Sequence, residues 1–218
     1  DYDRTLALVV DPLIQYASYL GGTGLDSAAG LDVDEVGNLY ITGTTMSTDF
    51  PGANGRFSST NAGARDVFVT KVRADGSGVL WSTYIGGSGE DTGWGLRTNA
   101  AGDIYISSTS TSPNFPTAGA APGSQGCTVT RLSADGTKIV WSHHVGGTLL
   151  RVGNNPVTPP VQRCFGLELA PDDGPTLVGQ TNTSDFPTTV GALKTAAAGA
   201  TDTDDGFVTH FNSDGAVV

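Results

Sequence analysis

Apolar and polar residues alternate along the chain in short runs that are separated by turns containing glycine. The segments "VFVTKV" at 67–72 and "VLWSTYI" at 79–85 show this alternation. A period of two residues predicts β-strands with one face buried. The connections carry Gly beside Asn or Asp, residues that adopt positive φ at low energetic cost. Since no stretch has sustained helical periodicity, we predict an all-β fold.

The same landmarks occur three times in a fixed order along the chain. Each unit has a Gly-Gly pair, a strand like "GNLYITG", a loop with Asp-Phe-Pro or Asn-Phe-Pro, and a strand that ends in Asp-Gly. In the first unit these lie at 21–22, 37–43, 49–51 and 66–76. Repetition of this kind indicates stacked supersecondary units. Each unit divides into four short strands, which we call a, b, c and d.

Units of four short antiparallel strands are typical of β-propeller blades. The segments 81–89, 102–106, 115–116 and 67–76 resemble the SBBP-type β-propeller repeat of bacterial proteins. The resemblance extends from Ile14 to Gly215. It implies a propeller fold, and it implies a secreted or cell-surface protein, because such repeats are mostly known from proteins of that kind. An aromatic residue recurs in strand d of each unit, as Tyr16, Trp81 and Trp141, and we expect it to pack between neighbouring blades.

The strands count to three blades, of which the last is incomplete. We assign residues 1–13 to a lead-in segment, 14–22 to a lone d strand, 23–87 and 88–147 to complete blades, and 148–218 to a third blade without its d strand. Propellers typically have about 4 to 8 blades, so three blades form only part of a ring. Either the chain is a segment of a longer repeat protein, or another copy or chain segment completes the ring by strand addition.

Composition narrows the classes of partner. The 218 residues include 31 glycines, and the formal net charge of −11 argues against nucleic acid, whose phosphates would be repelled. No apolar run reaches the roughly 18 residues of a membrane span, so no membrane insertion is predicted. The chain begins with Asp1 instead of Met, and we therefore expect a processed or trimmed chain.

The two cysteines have no cysteine counterparts in the other units. Cys127 begins strand c of the second unit, and Cys164 ends a long insertion at 148–164. We expect a disulfide that anchors this insertion, which would place the chain outside the cell, at the cell surface or in the periplasm. Two unpaired thiols are the alternative.

One acidic segment is a candidate calcium site, and no other cofactor is predicted. In "DTDDGF" at 202–207 three carboxylates precede a glycine, as they do in calcium-binding loops. Asp202, Asp204 and Asp205 are therefore candidate Ca²⁺ ligands. The distal bidentate Glu of such loops is missing, and an acidic solvated turn is the alternative.

The long b–c loops and the insertion would decorate one face of a propeller. We predict a non-enzymatic extracellular interaction module, a rigid scaffold that presents these loops to protein or glycan partners, including another copy or a larger surface assembly. Phe50, Phe115 and Phe186 are interpreted as structural anchors of the loops. The candidate binding residues are the unmatched Trp94 and three residues of the insertion, namely Arg151, Asn154 and Asn155.

We predict that the chain is not an enzyme, because no constellation of catalytic residues is found. The sequence has no G-x-S-x-G motif, no Cys-His pair at useful spacing and no phosphate loop. One alternative is a propeller enzyme, a lyase or hydrolase, with its site on the loop face. Another is a carbohydrate-binding lectin, for which Trp94 is the best aromatic candidate.

Overall fold

The computed structural model describes residues 16–54, 56–117, 125–147, 162–196 and 204–216. Within these residues the chain has eleven strands and no helix, which confirms the all-β prediction. Accordingly, the described part of the chain contains no helix that is long and apolar enough to cross a membrane.

The strands form three antiparallel sheets, in each of which neighbours in sequence are neighbours in space. The first sheet contains β1 (Asp26–Val33), β2 (Leu39–Thr45), β3 (Asp66–Val72) and β4 (Val79–Ile85). The second contains β5 (Asp91–Thr98), β6 (Ile104–Ser110), β7 (Gly126–Leu132) and β8 (Ile139–Val145). The third contains β9 (Gln162–Leu169), β10 (Pro175–Thr181) and β11 (Asp205–His210). These are propeller-like blades, and the described sheets do not close into a ring.

Apolar side chains fill the space between successive sheets, which we call the first joint (first to second sheet) and the second joint (second to third). In the first joint, Trp81 and Val69 pack in one cluster with Leu96 of the second sheet. In the second joint, Trp141 packs in one cluster with Leu177 of the third sheet. The prediction that these tryptophans lie between neighbouring blades is confirmed.

Each tryptophan of a joint lies on a turn glycine of the following sheet. A Cβ added to Gly136 would come 2.9 Å from the Trp81 ring, and a Cβ added to Gly215 would come 2.9 Å from the Trp141 ring. Both glycines also have positive φ, 72° and 87°. Glycine is therefore favoured there by the backbone conformation and by the close approach of the ring.

The segment predicted as a lone d strand differs from that prediction. Its described residues, 16–22, are not assigned to a strand. They nevertheless lie against the first sheet, because a Cβ added to Gly76 would come 2.5 Å from the Tyr16 ring. The segment therefore packs where a d strand would pack, but it is not part of any of the three described sheets.

Candidate functional site: a groove beside the third sheet

A tyrosine of the fourth strand connects the b–c loop of the first sheet to the sheet itself. Phe50 of the loop is buried and stacks on Phe68 of β3, with 4.4 Å between ring centroids. The Tyr84 hydroxyl of β4 accepts a hydrogen bond from the Phe50 amide at 3.0 Å and donates one to the Ser47 carbonyl at 2.9 Å. This arrangement confirms that Phe50 is a structural anchor, and it depends on the presence of β4.

The same loop also covers the outer edge of β4. The Ser82 amide donates to the Gly52 carbonyl at 2.7 Å, and the Tyr84 amide donates to the Ser58 carbonyl at 3.2 Å. Sheet edges with unpaired amides invite association, and a loop that bonds to the edge prevents it. This b–c loop is therefore packed on its own sheet, whereas the sequence predicted a loop presented to partners.

The third sheet has the corresponding loop and third strand, and among the described residues β11 is its last strand. Phe186 of its b–c loop lies 4.6 Å from Phe207 of β11, ring centroid to ring centroid, just as Phe50 lies on Phe68. Between the loop and β11 runs a groove of about 340 Å³, lined by Thr183, Phe186, Leu193, Phe207 and Thr209, among others. The groove lies where β4 lies in the first sheet.

One face of β11 is also exposed, because no sheet among the described residues packs on it. Val208 is 68 % exposed, whereas its counterparts Val69 and Val129 are fully buried by the sheet that follows each of them. The open edge of such a strand carries unpaired backbone amides and carbonyls that can pair with another strand.

Comparison with known protein families gives a match near the start of the chain. Residues 15–51 match a family model described as SBBP, a beta-propeller repeat. This stretch is an SBBP repeat. It includes the Gly-Gly pair, β1, β2 and the Asp-Phe-Pro segment of the first unit, so the resemblance found in the sequence is confirmed over these residues. No curated protein matches the chain.

The predicted disulfide is present and connects the second and third sheets. Cys127 of β7 is bonded to Cys164 of β9, with 5.1 Å between the Cα atoms. Both residues are fully buried in the second joint. The bond therefore crosslinks neighbouring sheets, where the sequence had indicated only an anchor for the insertion.

The candidate calcium ligands are only partly within the described residues. Asp202 lies outside them, and the Asp204 carboxylate accepts a hydrogen bond from the Gln180 side chain at 2.9 Å. Asp205 begins β11. Among the described residues, no group of three or more His, Cys, Asp or Glu side chains could hold a metal ion. The calcium site stays a prediction.

The candidate binding residue Trp94 lies at a bulge in β5, between Gly93 and Gly95. Its indole nitrogen donates to the Thr109 hydroxyl at 3.0 Å, and its ring meets Phe165 edge-on at 5.9 Å between centroids. The pair therefore joins β5 and β9, the first strands of two neighbouring sheets. Arg151, Asn154 and Asn155 lie outside the described residues.

The sequence analysis missed a pair of buried carboxylates in the first joint. Asp66 and Asp91 are both fully buried, and one oxygen of each, Oδ1, has no hydrogen-bond partner within the described structure. Burial, together with the Asp91 charge, raises the pKa of Asp66 to about 6, and burial also raises the pKa of Asp91. The sequence signal that could have identified these carboxylates is their position. Each is the first residue of its strand, β3 or β5.

Proposed function

We propose that this chain is a non-enzymatic propeller scaffold whose third sheet binds an extended segment of a protein partner. The groove between β11 and the loop that carries Phe186 is the observation that supports this function. In the first sheet the equivalent space is occupied by β4, whose Tyr84 bonds to the loop and packs with Phe50. The groove therefore has the shape and chemistry of a missing β-strand.

Strand addition supplies both affinity and specificity at such a site. The backbone of β11 offers hydrogen bonds along its open edge, and a pocket beside Phe186 and Phe207 accepts one aromatic side chain. The long b–c loop forms the other wall of the groove. A loop and an edge strand together present the scaffold to its partner, in line with the interaction module predicted from the sequence.

The disulfide supports a location for this function. Cys127 and Cys164 are bonded across the second joint, and such bonds persist in oxidising compartments. We therefore propose that the scaffold acts in the extracellular space or at the cell surface.

A peptide-binding experiment tests the strand-acceptor function. A labelled peptide with the sequence of residues 79–87, which includes all of β4, is added to the whole chain, and binding is followed by fluorescence anisotropy. We expect saturable binding by the chain. The matched control peptide carries Tyr84→Ala, and we expect it to bind at least about 10-fold more weakly because a central aromatic anchor is lost.

A variant of the groove shows where the peptide binds. Val208→Lys places a charge on an exposed position of the edge strand, a device by which natural proteins prevent edge pairing. We expect this variant to remain folded, because the position is exposed, and to lose peptide binding. Failure of the peptide to bind a chain whose groove is free, or equal binding to the variant, would contradict the proposed function.

Glycan binding is a second candidate, favoured by the aromatic pair Trp94 and Phe165. Phe165 is 46 % exposed, so one ring of the pair is open to a ligand. Exposed aromatic rings pack against the apolar faces of sugars. Titration with soluble polysaccharides, comparing the chain with Phe165→Ala, tests this candidate; a signal that both proteins share equally would contradict it.

A further inference from the structure

The segment 16–22 packs on the first sheet in the way that β4 packs on the second. Tyr16 lies on Gly76 just as Trp81 lies on Gly136. The Gly22 amide donates to Asp26 Oδ2 at 2.9 Å, which matches the bond from the Gly87 amide to Asp91 Oδ2 at 2.8 Å. The segment is therefore held on the first sheet in the position of the fourth strand of a preceding blade.

One side chain of this segment points away from the sheet that holds it. Tyr19 is fully exposed, whereas Tyr84, its counterpart in β4, is buried against Phe50 and Phe68. Side chains alternate along an extended segment, so Tyr19 faces the side opposite to Tyr16 and Leu20. The segment thus offers a tyrosine to a sheet other than the first.

The third sheet has a place for this tyrosine. We propose that residues 16–22 of a second copy of this chain form the fourth strand of the third sheet, with Tyr19 inserted beside Phe186 and Phe207. The inference rests on the proposed strand-acceptor function and names its partner. In the register of β3 with β4, Tyr19 lies opposite Phe207 and Ser18 lies opposite Val208.

The hydrogen bonds of the first sheet define what Tyr19 does in the groove. Its hydroxyl accepts from the Phe186 amide and donates to the Thr183 carbonyl, as Tyr84 does with Phe50 and Ser47. One bond is not reproduced, because Ala17 stands where Ser82 donates to the Pro51 carbonyl at 2.6 Å. The tyrosine is therefore the main anchor of the added strand.

A second copy fits because each chain has both halves of the contact. The donor segment is attached to the first sheet and the acceptor groove belongs to the third, so two copies related by a two-fold axis exchange strands reciprocally. Two chains bring six sheets together, within the range of about 4 to 8 blades in propellers. The exchange also covers Leu31 and Val33 of the first sheet and Val208 of the third, all more than half exposed in the single chain.

Light scattering on the whole chain gives the first test. We expect a particle of twice the chain mass of 22.2 kDa. Tyr19→Ala removes one anchor from each of two symmetric contacts, and we expect the dissociation constant to rise on the order of 100-fold or more. Val190→Ala, which truncates an equally exposed residue, is the matched control and leaves the mass unchanged.

Crosslinking between two different variants tests the register. Ser18→Cys chains are mixed with Val208→Cys chains under mild oxidation, so a new disulfide between these positions forms only between copies. Opposed residues of paired strands lie within the Cα distance of a disulfide. We expect a covalent dimer, whereas Ser18→Cys mixed with Val178→Cys, one strand further from the edge, gives none.

The outcomes separate this inference from the proposed function. A monomer that forms no crosslink overturns the second copy as partner, and so does a dimer that Tyr19→Ala leaves intact. If such a chain still binds the peptide of residues 79–87, the strand-acceptor function holds and another protein segment fills the groove. If Tyr19→Ala chains, whose groove is free, do not bind the peptide, both proposals are wrong.

Discussion

The two joints have the same geometry and are stabilised by different chemistry. In the first joint, Val67 of β3 lies beside Gly93 of β5, and a Cβ on that glycine would come 3.0 Å from the valine. In the second joint the same two positions are Cys127 and Cys164, and they are bonded. A valine packed on a glycine in one joint is thus replaced by a covalent bond in the other.

The polar residues at equivalent positions also differ between the two joints. Asp66 and Asp91 of the first joint are replaced in the second by Gly126 and Gln162, which carry no charge. Gln162 donates from its side-chain nitrogen to the Gly147 carbonyl at 2.8 Å, whereas Asp91 accepts from the Gly87 amide. The glycine turn is held in both joints, with the direction of the hydrogen bond reversed. Repeat geometry therefore constrains the shape of a joint more strongly than its chemistry.

The largest effect is expected from the aromatic residue of the first joint. Trp81→Ala leaves a cavity among Leu96, Ile104 and Leu132, and we expect it to lower the free energy of unfolding by about 3 to 5 kcal/mol. Denaturant unfolding followed by circular dichroism measures the loss. Gly136→Ala should destabilise in the same direction, because its Cβ meets the Trp81 ring, whereas Gly78→Ala, which has open space, is the control.

Removing the crosslink should affect the second joint next most strongly. The disulfide closes a loop of sequence separation 37, for which chain entropy gives a stabilisation of roughly 3 to 4 kcal/mol. Cys127→Ala with Cys164→Ala should lose about this much. Hydrogen exchange should then accelerate in β9 and β10 more than in β1 and β2; equal acceleration in all three sheets would contradict a local role for the bond.

The third effect is a pH dependence confined to the first joint. The pKa of Asp66 is raised from 3.8 to about 6, so the folded state holds this proton more tightly than the unfolded state. Its contribution to stability is therefore present at low pH and is lost as the pH rises through about 6, by up to about 3 kcal/mol. Asp66→Asn should be more stable than the parent at pH 7.5, and this advantage should disappear near pH 4.

A second carboxylate gives the opposite sign and serves as the control. Hydrogen bonds from Ser133 and Thr137 lower the pKa of Asp135 to about 2, so this group stabilises the fold when ionised. Asp135→Asn should therefore reduce the free energy of unfolding at pH 7.5, measured by the same denaturant unfolding. If both variants shift stability in one direction, the pH dependence does not arise from the joint.

The sequence predicted the fold well because local sequence patterns identify its strands and repeats. Alternation and turn glycines identify strands such as β3 and β4, and repetition of the Gly-Gly pair identifies the blades. Trp81 was correctly placed between blades because an aromatic recurs at one position of every unit. The disulfide was predicted because two cysteines without counterparts in the other units had an obvious partner in each other.

The sites were harder to predict because they depend on contacts between distant segments. Asp66 and Asp91 belong to different blades, and nothing in either local pattern shows that burial brings the two carboxylates together. The groove beside Phe207 exists because the third sheet has no fourth strand among the described residues. The strand count of the sequence predicted an incomplete sheet, but only the packing shows that Phe186 contacts Phe207 as Phe50 contacts Phe68.

The smallest effect is expected from an ion pair of the second joint. Arg97 of β5 contacts Glu168 of β9 at 3.0 Å, and the carboxylate side chain is largely exposed to solvent. Exposed pairs are worth roughly 0 to 1 kcal/mol, because water screens the charges and two long side chains lose freedom. A double-mutant cycle of Arg97→Ala and Glu168→Ala in oxidised and reduced protein should give a coupling below about 1 kcal/mol in both. A coupling of several kcal/mol after reduction would show that the ion pair, in addition to the disulfide, holds the second and third sheets together.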